Sequence, residues 1–276
     1  MAIWNESSAA TSRCVNDMLL LLDIGNTHTH VGLANAERVL RQQNFETTGW
    51  RDGSIARRIQ QFIGKAQLNG AAFCSVVPRA TPRCAHLLRG LKLNFLELNS
   101  KTLRGVGINY PKPTSIGPDR LANARAVKTI CGAPALVVDF GTAVTFDVVD
   151  GAGDYIGGII APGLSAMTDY LHEKTALLPK IKIREPAGVV GKNTEQAMLI
   201  GAVHGYRGLI RGLIIELKRE LKVRRLPVIA TGGYAELIAD DMAEISAVHP
   251  NLTLEGLRLA WSDHFGPGSA AAPAAD

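Results

Sequence analysis

The chain has 276 residues, a formal net charge of +5, 46% hydrophobic and 20% charged residues. That length accommodates one large domain or two small lobes around a sizeable core, and the mild basic excess suits anionic substrates without the aromatic-interleaved groove of a nucleic-acid binder. Cys14, Cys74, Cys84 and Cys131 are scattered with no Cys-x-x-Cys pair, which argues against a disulfide-stapled secreted fold and a zinc site and for reduced thiols in the cytoplasm.

Residues 1–17 read as a polar N-terminal extension without the basic start of a signal peptide, and Met18 is an alternative first residue. The apolar run Met18–Leu22 stops at Asp23, and no stretch is expected to reach the roughly 20 apolar residues of a membrane span. Leu19–Leu33 (LLLLDIGNTHTHVGL) reads as a buried strand, a glycine turn and a returning strand. Asp52–Lys65 spaces Ile55, Ile59, Phe62 and Ile63 as one helix face. Strands are expected at Ala71–Val77 and Phe95–Leu98, then a helix over Asp119–Ile130 following Pro118. Ala135–Val149 (ALVVDFGTAVTFDVV) repeats the strand–turn–strand pattern. Thr194–Leu221 is a long apolar helical stretch with glycines at 201, 205, 208 and 212, and the basic run Lys218–Arg225 is its solvated end. A strand at Pro227–Ala230 and a disordered, low-complexity tail over 266–276 complete the chain. Strands alternating with helices give an α/β fold. The internal repeat predicts two related lobes, 18–131 and 132–265, with a cleft between them.

Three motifs carry chemistry. In Asp23-Ile24-Gly25-Asn26-Thr27-His28-Thr29, a glycine turn exposes backbone N–H groups to an anion, Asn26, Thr27 and Thr29 add donors, and Asp23 can hold a hydrated Mg2+. Alone, this reading competes evenly with an ordinary hairpin carrying an Asx turn. Asp139-Phe140-Gly141-Thr142 repeats the logic, and the repetition weakens the alternative of a self-capping turn. Thr231-Gly232-Gly233-Tyr234 closes a strand and leaves room for a flat ring against backbone, although Gly-Gly turns are common.

Two phosphate turns and a late Gly-Gly motif resemble the superfamily of sugar kinases, actin and heat-shock ATPases. The spelling resembles the type III pantothenate kinases: DIGNTHT, GPDRLANA, DFGTAVTFD, GGIIAPGL, KTALLP, GKNT, TGGYAELI and NLTLEGL occur in the family's order over about residues 18–260. The resemblance implies an actin-like (ribonuclease H-like) pair of lobes and a cytoplasmic homodimer that phosphorylates pantothenate with ATP, the first step of coenzyme A biosynthesis. It places ATP at Asp23, Ile24, Gly25, Asn26, Thr27, His28, Thr29, His30, Thr142, Gly232 and Gly233. It places pantothenate at Tyr110, Gly117, Pro118, Asp119, Arg120 and Thr194, with Asp119 as general base. It gives Asp139 a monovalent cation, K+ or NH4+, and Asp23 the Mg2+ that accompanies ATP. From the residues alone, Asp119 reads first as an acid at a helix start and Arg120 as a surface cation. The homodimer reading assigns part of the substrate site to the partner and makes the glycine-rich helix a candidate contact, with an internal helix equally open.

His28 departs from the small polar residue expected there, and His28 and His30 are expected on alternating strand faces, unable to converge on a metal. Two other readings stay open. Another phosphotransferase of the superfamily would share the turns but not GPDR, GKNT and the INYP segment around Tyr110 together. A regulatory nucleotide-binding accessory factor of transcription would bind nucleotide without turnover, but no DNA-binding motif is visible.

Overall fold

The computed structural model describes residues 18–266. The N-terminal extension, Cys14 and the tail from residue 267 lie outside them. The first sheet contains β1 (Met18–Ile24), β2 (His28–Ala34), β3 (Val39–Glu46), β4 (Leu68–Ser75) and β5 (Phe95–Glu97), in the order β3-β2-β1-β4-β5. Between β3 and β4 run α1 (Gly49–Asp52) and α2 (Ser54–Ile63), and α3 (Thr81–Gly90) follows β4. The second sheet begins with β6 (Gly107–Ile108), followed by α4 (Pro118–Cys131), β7 (Ala135–Phe140), β8 (Ala143–Val149) and β9 (Asp154–Pro162). Then come α5 (Leu164–Lys174), α6 (Thr194–Glu220), β10 (Val228–Thr231), α7 (Ala235–Ala239), β11 (Ala247–Val248) and α8 (Leu252–Phe265). The order here is β11-β10-β7-β8-β9-β6.

The two sheets repeat one plan. In each, the leading strand pairs antiparallel with the next and parallel with a later strand: β1 with β2 and β4, β7 with β8 and β10. β2 and β8 even share one alternation of exposed and buried positions along their seven residues. Parallel pairing in the middle of a sheet demands cover on both faces, which explains why β1 and β7 are nearly unbroken apolar runs. Leu20, Leu22 and Ile24 face α2 and α3, whereas Leu19 and Leu21 face α8. Leu136, Val138 and Phe140 face α6, whereas Ala135 and Val137 face α4.

Helices α4 and α8 therefore form a layer between the sheets. They cross so closely that a Cβ on Gly256 would stand 2.0 Å from the Ala122 carbonyl oxygen. Chain order and packing part at two places around the expected division at residue 131. β6 pairs with β9 of the second sheet, and α8, near the chain's end, packs on β1 and β4 of the first. Burial of apolar faces, not sequence proximity, chooses these partners.

Most expected elements appear, with shifted ends. The stretch Asp52–Lys65 is broken by Gly53, whose φ of +78° ends α1 and starts α2. α4 takes in Pro118 at its first turn, where a missing N–H costs nothing. The expectation that no stretch reaches membrane-span length is corrected by α6, which is long and apolar enough by length and composition to cross a membrane. Its glycines diluted the apolar signal. Here its face of Val203, Tyr206, Ile210 and Ile214 is buried against the second sheet.

Candidate active site

Strand alternation builds the site. Asp23 follows Leu19 and Leu21 on the face of β1 that looks toward the middle layer, and Asp139 follows Ala135 and Val137 on the matching face of β7. Helix α4 runs in that layer and carries Asp119, Arg120 and Asn123, while α8 brings Thr253. Thus the acids of two strands and one helix start converge where the sheets meet.

The first turn is braced from behind. Gly25 N–H donates to the His28 carbonyl at 3.0 Å, Thr47 N–H to the Thr27 carbonyl at 3.0 Å, and Thr47 Oγ1 to the Gly25 carbonyl at 2.7 Å. Asn26 and Thr27 are exposed at its tip. Thr27 Oγ1 lies 2.9 Å from Thr142 Oγ1 of the second turn, so the two turns touch across the cleft. Gly232 closes the other side. Its φ is +91°, and a Cβ there would meet Asp139 Oδ1 at 2.5 Å and Phe140 backbone at 2.7 Å. Gly233 faces open space.

The carboxyls raise one another's affinity for protons. Burial, then the charge of Asp119, lifts Asp23 to about 7. Burial, then Asp119 and Asp23, lifts Asp139 to about 6. Asp119 is itself raised by burial, against the pull of the Arg120 N–H that donates to its Oδ1 at 2.9 Å. Such a cluster suits hard cations, which take oxygen ligands. A cavity of about 50 Å3 is lined by Asp23, Asp139, His30, Thr231 and Asn251, and the buried Asn251 Oδ1 has no hydrogen-bond partner. The donor set fits a cation. Among the described residues no group of three or more His, Cys, Asp or Glu is placed to hold a metal ion; the oxygens here include those of two carboxyls, a threonine and an asparagine.

Next to Asp119 in the chain, Arg120 sits in a cluster of polar and aromatic groups. Arg120 Nε donates to Asp147 Oδ1 at 2.6 Å and Nη2 to the Phe146 carbonyl at 3.0 Å. Its Cζ stands 5.8 Å from the Tyr155 ring centroid, and the Tyr110 ring is 6.2 Å from that of Tyr155. Tyr110, Gly117, Pro118, Asp119 and Arg120 are thereby brought together. Thr194 is not. It is exposed at the start of α6, in a groove of about 560 Å3 with Met167, Tyr170, Leu171 and Gly201.

Three expectations change. Thr29 is fully buried, its hydroxyl 3.1 Å from Thr47 Oγ1 and accepting from Trp50 Nε1 at 3.0 Å, so it braces the turn instead of offering a donor to phosphate. Ile24 buries its side chain in the core, leaving only backbone for a ligand. His28 and His30, two residues apart, lie on the same strand face, with ring centroids 6.4 Å apart. His30 Nδ1 sits 2.8 Å from Asn44 Oδ1. Three polar groups went unassigned in the sequence: Asn123, Asp147 and Thr253. A carboxylate inside the apolar run of a strand was the available signal for Asp147.

The description "type III pantothenate kinase" belongs to the family model that matches residues 19–216. A type III pantothenate kinase of Akkermansia muciniphila is 44% identical over 241 residues, 87% of this chain and 97% of that one. One from Methylacidiphilum infernorum is 42% identical, covering 87% of each. The chain belongs to the type III pantothenate kinase family. Family membership makes it an ATP-dependent kinase. More distant structures share its fold. One assigned to the Baf family of transcriptional activators, from Campylobacter jejuni, is 20% identical with a TM-score of 0.57, covering 88% of this chain and 98% of that one. The activator of 2-hydroxyisocaproyl-CoA dehydratase from Clostridium difficile, with bound ADPNP, is 12% identical with a TM-score of 0.51, covering 89% and 95%. These neighbours agree with the expected actin-like, two-lobed α/β architecture.

Proposed function

We propose that this pantothenate kinase works by direct phosphoryl transfer, with Asp119 accepting the proton of the pantothenate hydroxyl. The hydroxyl oxygen bonds to the γ-phosphorus, the bond to the ADP oxygen breaks, and the products are 4'-phosphopantothenate and ADP. The observation that carries the reading is the convergence of Asp119 on Asp23 and Asp139, each on its own phosphate turn. Phosphoryl transfer needs mainly positioning and charge neutralisation. Gly25, Asn26 and Thr27 on one side and Thr142 on the other hold the triphosphate, and Gly232 and Gly233 leave room for adenosine. Burial keeps Asp119 avid for a proton, which suits a base.

Asp23 would hold Mg2+ through the phosphates, and Asp139 a monovalent cation. Both would supply positive charge against the carboxyls and phosphates. Arg120 faces the substrate carboxylate, with Tyr110 beside it. A second copy of the chain, seated on the exposed groove of α5 and α6, would bring its Thr194 to the site. The protein would work in the cytoplasm as a homodimer.

The test is ADP release by the purified protein with and without pantothenate, in buffers with and without potassium. Pantothenate-dependent release that requires potassium supports the kinase and the cation site together. ADP release indifferent to pantothenate would point to another phosphate acceptor, and nucleotide binding without turnover to a regulatory role.

A further inference from the structure

Arg120 is held by several partners at once. Of its five N–H donors, Nε is given to Asp147 and one on Nη2 to the Phe146 carbonyl. Nη1 has no acceptor among the described residues. Its Cζ lies over the Tyr155 ring, 5.8 Å from the centroid, within reach of a cation–π contact. The floor beneath it is Gly158, where a Cβ would stand 1.6 Å from the Phe146 oxygen and 2.7 Å from Arg120 Nη2.

Asp147 is the anchor of this arrangement. It is fully buried, on β8, in register with Gly158 of β9. Placing a carboxylate there is expensive, and an apolar residue would serve the sheet better. Its second oxygen accepts from Asn123 Nδ2 at 3.3 Å, and the same nitrogen reaches Asp139 Oδ2 at 3.3 Å. Asn123 is oriented in turn by Thr253, whose hydroxyl donates to Asn123 Oδ1 at 2.9 Å. One amide thus ties the aspartate of the second phosphate turn to the aspartate that holds Arg120.

We infer that Asp147, oriented by Asn123, is a positioning residue that fixes the Arg120 guanidinium with Nη1 toward the carboxylate end of the substrate, and so sets the preference for an acidic over a neutral acceptor. The inference rests on the pantothenate reading above. It deepens that reading by naming residues that act through Arg120 without touching substrate.

The test compares pantothenate with pantothenol, which carries an alcohol in place of the carboxylate. Asp147→Asn keeps the shape and removes the charge. We expect its KM and its calorimetric Kd for pantothenate to rise about 10- to 100-fold, the cost typical of losing a group that orients a ligand. We expect kcat, and KM for pantothenol, to stay within about threefold. Asn123→Ser loosens Asp147 without removing charge but also frees Asp139, so it is judged by the ratio of the pantothenate to the pantothenol KM alone, which should rise by less than in Asp147→Asn. Equal losses with both acceptors, or a fall in kcat with pantothenate KM unchanged, would overturn the positioning role. If the wild type does not use pantothenol, the split between KM and kcat for pantothenate decides alone. If Asp147→Asn does not fold, the Asn123→Ser values decide. A wild type that turns over neither acceptor removes the kinase reading itself, an outcome distinct from a failed variant.

Discussion

Asp119→Asn removes the proposed proton acceptor and leaves the helix start intact. Turnover should fall roughly 10²- to 10⁴-fold, while pantothenate affinity changes little. Steady-state kinetics beside binding calorimetry checks this, and near-normal turnover would end the assignment of the base. The same acids set a pH dependence. Asp23 is raised from an ordinary 3.8 to about 7, and Asp139 to about 6, chiefly by burial. The folded protein therefore keeps protons that the unfolded chain sheds. Their contribution to stability is full below the unfolded value and is lost as pH rises through 6 to 7. The melting temperature without ligand should decline between about pH 5 and pH 8, and potassium should reduce that decline. A melting temperature that rises over the same interval would contradict the burial of these groups. The residues legible in sequence were those that motifs isolate: Asp23, Asp119, Asp139 and Gly232. Thr29 was misread because its hydroxyl's partners, Thr47 and Trp50, lie well over a dozen residues away in the chain.

At the scale of elements, strand alternation and helical spacing were readable because burial imposes them locally. Gly53 and the ends of α4 and α6 moved boundaries by one or a few residues, which is where local signals are weakest. Which helices share the middle layer could not be read from sequence, since α4 and α8 meet only through tertiary packing. That crossing is testable. Gly256→Ala would place a methyl 2.0 Å from the Ala122 carbonyl, a clash of backbone against side chain that should cost about 1–3 kcal/mol. For a chain of this size, thermal unfolding should shift downward by several degrees, about 2–4 °C for each kcal/mol. An unchanged midpoint would mean that α8 moves aside freely.

At the scale of the whole molecule, the described residues leave an apolar face open along α6. A side chain at Gly201, Gly205, Gly208 or Gly212 would meet nothing within 4 Å, and Tyr170 and Leu171, which share a groove with Gly201, are exposed. Small residues allow two helices to approach closely, and an exposed apolar patch of this kind marks an interaction surface. In the proposed homodimer, Gly201→Arg on that face should give a monomer in sedimentation velocity and remove most turnover, because Thr194 would no longer reach the partner's site. A monomeric wild type, or an active monomeric variant, would refute the shared site.

The hydroxyl contact of Thr27 with Thr142 has a mechanical consequence. At 2.9 Å the two hydroxyls latch one turn to the other, and a phosphoryl oxygen arriving between them would have to break that bond. Behind the turns the sheets are joined by α4 and α8, whose backbones close on each other at Ala122 and Gly256. Because α4 packs on β4 of one sheet and on β7 and β8 of the other, any parting of the sheets would pull on the helix that carries Asp119.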